Sequence, residues 1–146
     1  MRAARHFTEL LVWQIADELR RSTFALTNRP EVARHYKFVA QMDDAINSVC
    51  RNIAEGFEAD THGQFAWYLR VSARSLNELK DAYRGAETKK LVPASELAEG
   101  RMLIRRLSPP LNRLIDYLER TPNQRNRPRK SDRVGKPDDG FYYRIE

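Results

Sequence analysis

The chain has 146 residues with 26 Lys and Arg against 20 Asp and Glu, a formal net charge of +6. That length can enclose one real core, and a single cysteine, Cys50, excludes an internal disulfide and fits a reducing compartment, the cytosol. The apolar runs are too short for a membrane-spanning helix, and "MRAARHF" is not followed by the hydrophobic stretch of a secretory signal. Strand signals of period two are nearly absent, while Leu, Ala, Arg and Glu dominate.

The first predicted helix runs from Thr8, its expected cap, to Thr27. Val12, Ile15, Ala16, Leu19, Thr23 and Leu26 follow the spacing of a buried helical face. Leu10, Trp13 and Phe24 lie off that stripe and offer a second apolar face, as core or as a subunit contact. "NRPE" breaks the chain, with Pro30 suited to the first turn of a second helix over residues 31–59. Its expected core stripe is Val32, Tyr36, Val39, Met42, Ile46, Val49, Ile53 and Phe57.

Beside that stripe runs a line of mostly small residues: Gln41, Ala45, Ser48, Asn52, Gly56 and Ala59. It includes "NIAEGF", residues 52–57, where Gly56 costs a helix interior about 1 kcal/mol relative to alanine. A close helix contact at Gly56 would offset that cost. Asn52 and Glu55 stand on the same side and are expected to form a polar lock within it; the alternative is a solvated Glu55 and a Gly56 that only frays the helix end.

Thr61 and Gln64 have capping-box spacing and start a third helix, with Phe65, Tyr68, Leu69, Ser72, Leu76, Leu79, Tyr83 and Ala86 inward. "KKLVPASE" ends it. Ser95 is the expected cap of a fourth helix whose core face is Leu97, Leu103, Ile104, Leu107, Leu111, Leu114, Ile115 and Leu118. Ser108-Pro109-Pro110 interrupts this helix and predicts a kink or a restart with Ser108 as cap. Four stripes joined by short loops bury themselves most simply as an antiparallel, up-down-up-down four-helix bundle over residues 1–120. Residues 121–146 form a basic tail, seven Lys and Arg against four acids, expected to be disordered when alone. Its end, "FYYRIE", suits docking on a partner or neighbouring subunit, or residual packing on the chain's own bundle.

Arginines recur on the third and fourth helices: Arg70 and Arg74, then Arg101, Arg105, Arg106, Arg113 and Arg120. Arg125, Arg127, Arg129 and Lys130 extend the charge into the tail. The guanidinium fork suits phosphate, and a solvated, salt-bridged face is the simpler reading of any one of them. Metal chemistry fits poorly. No histidine follows a glutamate at the Glu-x-x-His spacing of di-iron bundles, and Glu31/His35 and Glu58/His62 fall at predicted helix ends. Cys50 borders the core stripe and reads as an inert buried thiol. No glycine-rich phosphate loop is present, so no cofactor and no enzymatic activity are expected.

Three stretches carry a resemblance. They are Phe7, Leu10, Val12-Trp13-Gln14, Ala16 and Leu19; then Gln41, Ala45, Ser48 and "NIAEGF"; then Phe65, Leu69, Ala73, Ser75, Glu78 and Leu79. Together they resemble the four-helix-bundle proteins encoded within 23S ribosomal RNA intervening sequences, over about residues 7–120. That family is similar to the accessory proteins of diversity-generating retroelements. The resemblance implies a homopentameric ring and a non-catalytic role on RNA or DNA, with a reverse transcriptase as a protein partner. The chain departs from the family at Arg74, where glycine is frequent before the serine, at Ser108-Pro109-Pro110, and in its tail. The competing class is a protein–protein adaptor with no affinity for nucleic acid.

Overall fold

The computed structural model describes residues 4–126; Arg127, Arg129, Lys130 and "FYYRIE" lie outside the described residues. Five α-helices and two short 3-10 turns account for the regular structure, and among the described residues there is no strand. The helices are α1 (Leu11–Thr27), α2 (Pro30–Ala33), α3 (Tyr36–Glu58), α4 (His62–Thr88) and α5 (Ala98–Glu119). The four long ones close a ring, α1 against α3, α3 against α4, α4 against α5 and α5 against α1. Their apolar stripes fill the space between, and Leu19, Met42, Ile46, Ile53, Phe65, Leu69, Leu79 and Leu107 are fully buried.

The boundaries differ from the periodicity in four places, each for a local reason. Thr8 does not cap α1. His6 accepts its amide, a 3-10 turn follows over Phe7–Glu9, and Leu10 in an extended conformation starts the helix proper. The expected second helix is divided: α2 is one turn with Pro30 in its first turn, and His35 (φ −86°, ψ 59°) leaves helical geometry before α3 begins. The bend lets Val32 point wholly inward while Tyr36, placed on the core stripe by spacing alone, is 71% exposed. Ser95 does not cap the last helix, because residues 94–97 form a 3-10 turn that buries Leu97.

The fourth difference is at Ser108-Pro109-Pro110. Helix α5 does not restart there; it runs unbroken through both prolines. A proline at position i has no N–H for the carbonyl at i−4, so the carbonyls of Arg105 and Arg106 lose their donors. Both arginines are exposed, and Leu107 and Leu111 beside them are buried. The missing bonds thus fall on the wet face, where water can replace them, and the apolar face continues undisturbed.

Helix α4 begins with a complete capping box: Thr61 accepts from the Gln64 amide, and Gln64 Oε1 accepts from the Thr61 amide. It ends without glycine. Leu91 N–H reaches back to Ala86 O (3.1 Å) and Lys90 N–H to Glu87 O (3.0 Å), a Schellman pair of bonds. The residue in the left-handed conformation is Lys90, with φ 53°.

Residues 121–126 belong to the folded unit and not to the tail. His62 N–H donates to Gln124 O (2.8 Å), Gly63 N–H to Pro122 O (2.9 Å), and Asn126 N–H to Asp60 O (2.9 Å). The Asn126 amide also donates to Ala59 O and Thr61 O, at 2.6 and 3.2 Å, and Asn126 is buried. The expected boundary at Thr121 was too early because nothing in a polar, proline-bearing stretch reports backbone pairing 60 residues away.

Candidate functional site

"NIAEGF" lies in the seam between α3 and α4. A Cβ built on Gly56 would stand 2.6 Å from Phe65 Cδ2 and 2.8 Å from Tyr68 Cβ. Real side chains do not approach so closely, so only glycine lets α4 pack at this level. One turn earlier, Asn52 Nδ2 donates to Ser48 O (2.8 Å) and Ser48 Oγ (3.1 Å). Ser48 Oγ in turn shares a 2.7 Å hydrogen bond with Ser75 Oγ on α4. Ser72 Oγ donates to Val49 O across the same seam at 3.0 Å. Each hydroxyl is paired, as a buried polar group must be to avoid a penalty of about 1–3 kcal/mol.

The polar bond across the seam is therefore made by Ser48 and Ser75, with Asn52 bonded to Ser48 on its own helix. Glu55 takes no part in it; its side chain is exposed at the mouth of a groove beside Trp67. Ser75 is the partner that spacing on a single helix could not supply. Leu10, offered as a contact residue, is buried in the chain's own core. Trp13 and Phe24 are partly buried against that core, Trp13 edge-on to Phe7 with ring centroids 5.3 Å apart.

A second glycine contact escaped the sequence reading. A Cβ on Gly100 of α5 would come within 2.2 Å of the Tyr83 hydroxyl on α4. That hydroxyl shares a 3.0 Å hydrogen bond with Thr23 Oγ1 on α1. Burial, the leading effect, raises the Tyr83 pKa, so the phenol stays neutral at physiological pH. On the same side of the bundle, Thr27 Oγ1 donates to Asp43 Oδ1 (2.9 Å), and burial holds the Asp43 carboxyl above the usual range.

The arginines divide into two groups. Arg70 forms a two-pronged ion pair with Glu119 across α4 and α5 (Nη2–Oε2, 2.7 Å), and its hydrogen bond lowers the Glu119 pKa. Arg101 pairs with Glu87, whose carboxyl it likewise lowers, and Arg106 lies 3.7 Å from Glu18. Arg74, Arg105, Arg113, Arg120 and Arg125 are exposed and meet no carboxylate at ion-pair distance among the described residues. The spacing of the sequence could not distinguish these groups, because the pairing carboxylates Glu87, Glu119 and Glu18 lie on other helices.

Among the described residues no group of three His, Cys, Asp or Glu side chains is placed to hold a metal ion. Cys50 is buried, and burial pushes its thiol up to about 11. No helix among the described residues is long and apolar enough to cross a membrane.

Neither curated proteins nor solved structures include a match to this chain. A family model does match, over residues 8–113, from the start of the helical region to the last turns of α5. That span takes in the α3–α4 seam with its glycine contact and serine lock, as well as the Gly100–Tyr83 contact. The chain belongs to the 23S rRNA-intervening sequence protein family.

Proposed function

We propose that this protein is a non-enzymatic, homo-oligomeric scaffold that binds nucleic acid through the arginines of α4 and α5. One observation carries the reading: Arg74, Arg105, Arg113 and Arg120 are exposed on α4, α5 and the α5 C-cap and meet no carboxylate partner among the described residues. Solvated faces usually balance their charges. Guanidinium groups left unpaired keep their hydrogen-bond forks for phosphate. A family named for an intervening sequence in 23S rRNA supports RNA as the polymer.

The bundle is antiparallel, up-down-up-down. Phe38 meets Gly85, Ser48 meets Ser75 and Gly56 meets Phe65, so numbers fall on α4 as they rise on α3. Arg70–Glu119 and Gly100–Tyr83 repeat the relation between α4 and α5. The scaffold is cytoplasmic and assembles as a pentamer, which multiplies a modest basic patch around a ring. A reverse transcriptase is the protein partner that the resemblance to retroelement accessory proteins suggests.

The test is a salt titration of binding to mixed-sequence RNA and DNA, with mass measured by light scattering in the same buffers. Each phosphate contacted should steepen the log–log slope by roughly 0.7 for single strands or 0.9 for duplex DNA. Arg74→Glu with Arg113→Glu and Arg120→Glu should flatten the slope and leave the mass unchanged. No binding at low salt by an intact oligomer would move the reading to a protein–protein adaptor. A monomer at tens of micromolar would remove the ring.

A further inference from the structure

At the α3–α4 turn lies an open groove of about 720 Å³. Phe7, Trp67 and Tyr68 supply its apolar surface, and Glu55, Glu58 and Asp60 its charge. Trp67 is 58% exposed and stands edge-on to Tyr68 with ring centroids 5.1 Å apart. Glu55 and Asp60 meet no cation among the described residues. An indole left in water beside carboxylates suits a ligand that brings aromatic surface and positive charge together. It is the wrong sign for a phosphate backbone.

The chain itself supplies such a ligand. Residues 127–136, "RPRKSDRVGK", carry five basic side chains and one acid, and Phe141, Tyr142 and Tyr143 follow. The segment also starts in the right place. Asn126 donates its backbone N–H to Asp60 O, and Asp60 lines the groove. Twenty residues remain beyond that anchor. Extended, they reach up to about 70 Å, so length is no obstacle. A segment tethered at the rim meets the groove at an effective concentration on the order of millimolar, which favours the chain's own groove over a neighbour's.

From this placement we infer that residues 127–146 dock in their own chain's α3–α4 groove. The basic stretch lies against Glu55 and Asp60, and the aromatic end covers Trp67. The inference does not depend on nucleic-acid binding. If that binding occurs, the docked tail withholds its cations from phosphate until it is displaced.

Trp13 and Trp67 are the two tryptophans of the chain, so full-length Trp13→Phe makes Trp67 the sole reporter. In that background Phe141→Ser with Tyr142→Ser and Tyr143→Ser should shift the emission to the red and steepen quenching by acrylamide. Glu55→Lys should act in the same direction, and high salt should weaken the protection in the parent chain. Circular dichroism confirms that each variant keeps its helices. Should Trp13→Phe unfold the protein, hydrogen exchange on the unaltered chain replaces it, with the 141–143 amides exchanging more slowly than in a free peptide of residues 127–146. A Trp67 emission and quenching slope unchanged by the tail substitutions would overturn the inference. Protection that depends on the tail but vanishes on dilution would also overturn it, placing the tail in another copy's groove. Protection that vanishes on dilution without depending on the tail would assign the groove to a contact between copies.

Discussion

The Tyr83 hydroxyl lies directly against the backbone of Gly100, so close that a single methyl group at position 100 would come within 2.2 Å of the oxygen. Three helices meet there, since Tyr83 also holds Thr23 on α1. On helix propensity alone Gly100→Ala should gain about 0.5–1 kcal/mol. The contact predicts the reverse. Tyr83 is buried and hydrogen-bonded, so it cannot swing aside, and overpacking costs about 1–3 kcal/mol. Thermal denaturation should show a lower Tm for Gly100→Ala, and Tyr83→Phe in the same chain should recover part of it by removing the clashing oxygen. A raised Tm for Gly100→Ala would show that α5 can move away from α4.

Gly56 sets a harder limit, because one of the atoms in its way is Tyr68 Cβ, which is fixed to the α4 backbone. Gly56→Leu should therefore separate the two helices and break the Ser48–Ser75 bond about two turns away. The expected loss again is about 1–3 kcal/mol or more by denaturant unfolding. Unchanged or greater stability would mean that the seam is looser than its distances indicate.

Lys90 predicts a gain. A non-glycine residue at φ 53° carries a left-handed cost of about 1–2 kcal/mol that glycine does not. Lys90 is exposed and lies outside the helix, so Lys90→Gly removes strain and loses no packing. Unfolding midpoints should rise for Lys90→Gly and fall for Lys90→Val, whose branched side chain suits that conformation least.

Cys50 should be silent towards thiol reagents. Burial raises its pKa to about 11, against about 8.5 for an ordinary thiol, and the thiolate is the reactive form. A chromogenic disulfide at pH 8 should therefore label the native protein far more slowly than the protein in guanidinium. The sign of the linkage follows from the raised value. The contribution of Cys50 to stability is whole below about pH 8.5 and is lost as the pH climbs towards about 11. Fast labelling of the native chain would mean that α3 opens around Val49 and Ile53.

The helices were legible because each carries a long apolar stripe of one period, and such stripes need a common core whatever the loops do. Asn52 and Gly56 were legible because amide and glycine contradict helix propensity, and such a contradiction calls for a tertiary reason. Gly100 contradicts it as well, but near a helix start it reads as ordinary punctuation. Only the Tyr83 ring, 17 residues earlier in the chain, shows its purpose. The bend at His35 left no mark either, since Val32 and Tyr36 fit one straight stripe equally well. Pairing among the arginines was illegible for the same reason as the anchoring of Asn126. Both depend on which distant backbone or carboxylate the fold brings alongside.

The start of α4 draws its caps from both ends of the chain's history. Thr61 is made with the helix, but the acceptors for the His62 and Gly63 amides are the carbonyls of Gln124 and Pro122. During synthesis these leave the ribosome long after α4 itself. Until those carbonyls emerge, the His62 and Gly63 amides lack the acceptors that they have in the folded bundle. A chain stalled before Pro122 thus holds the sequence of every long helix and still lacks the clasp at the α3–α4 corner.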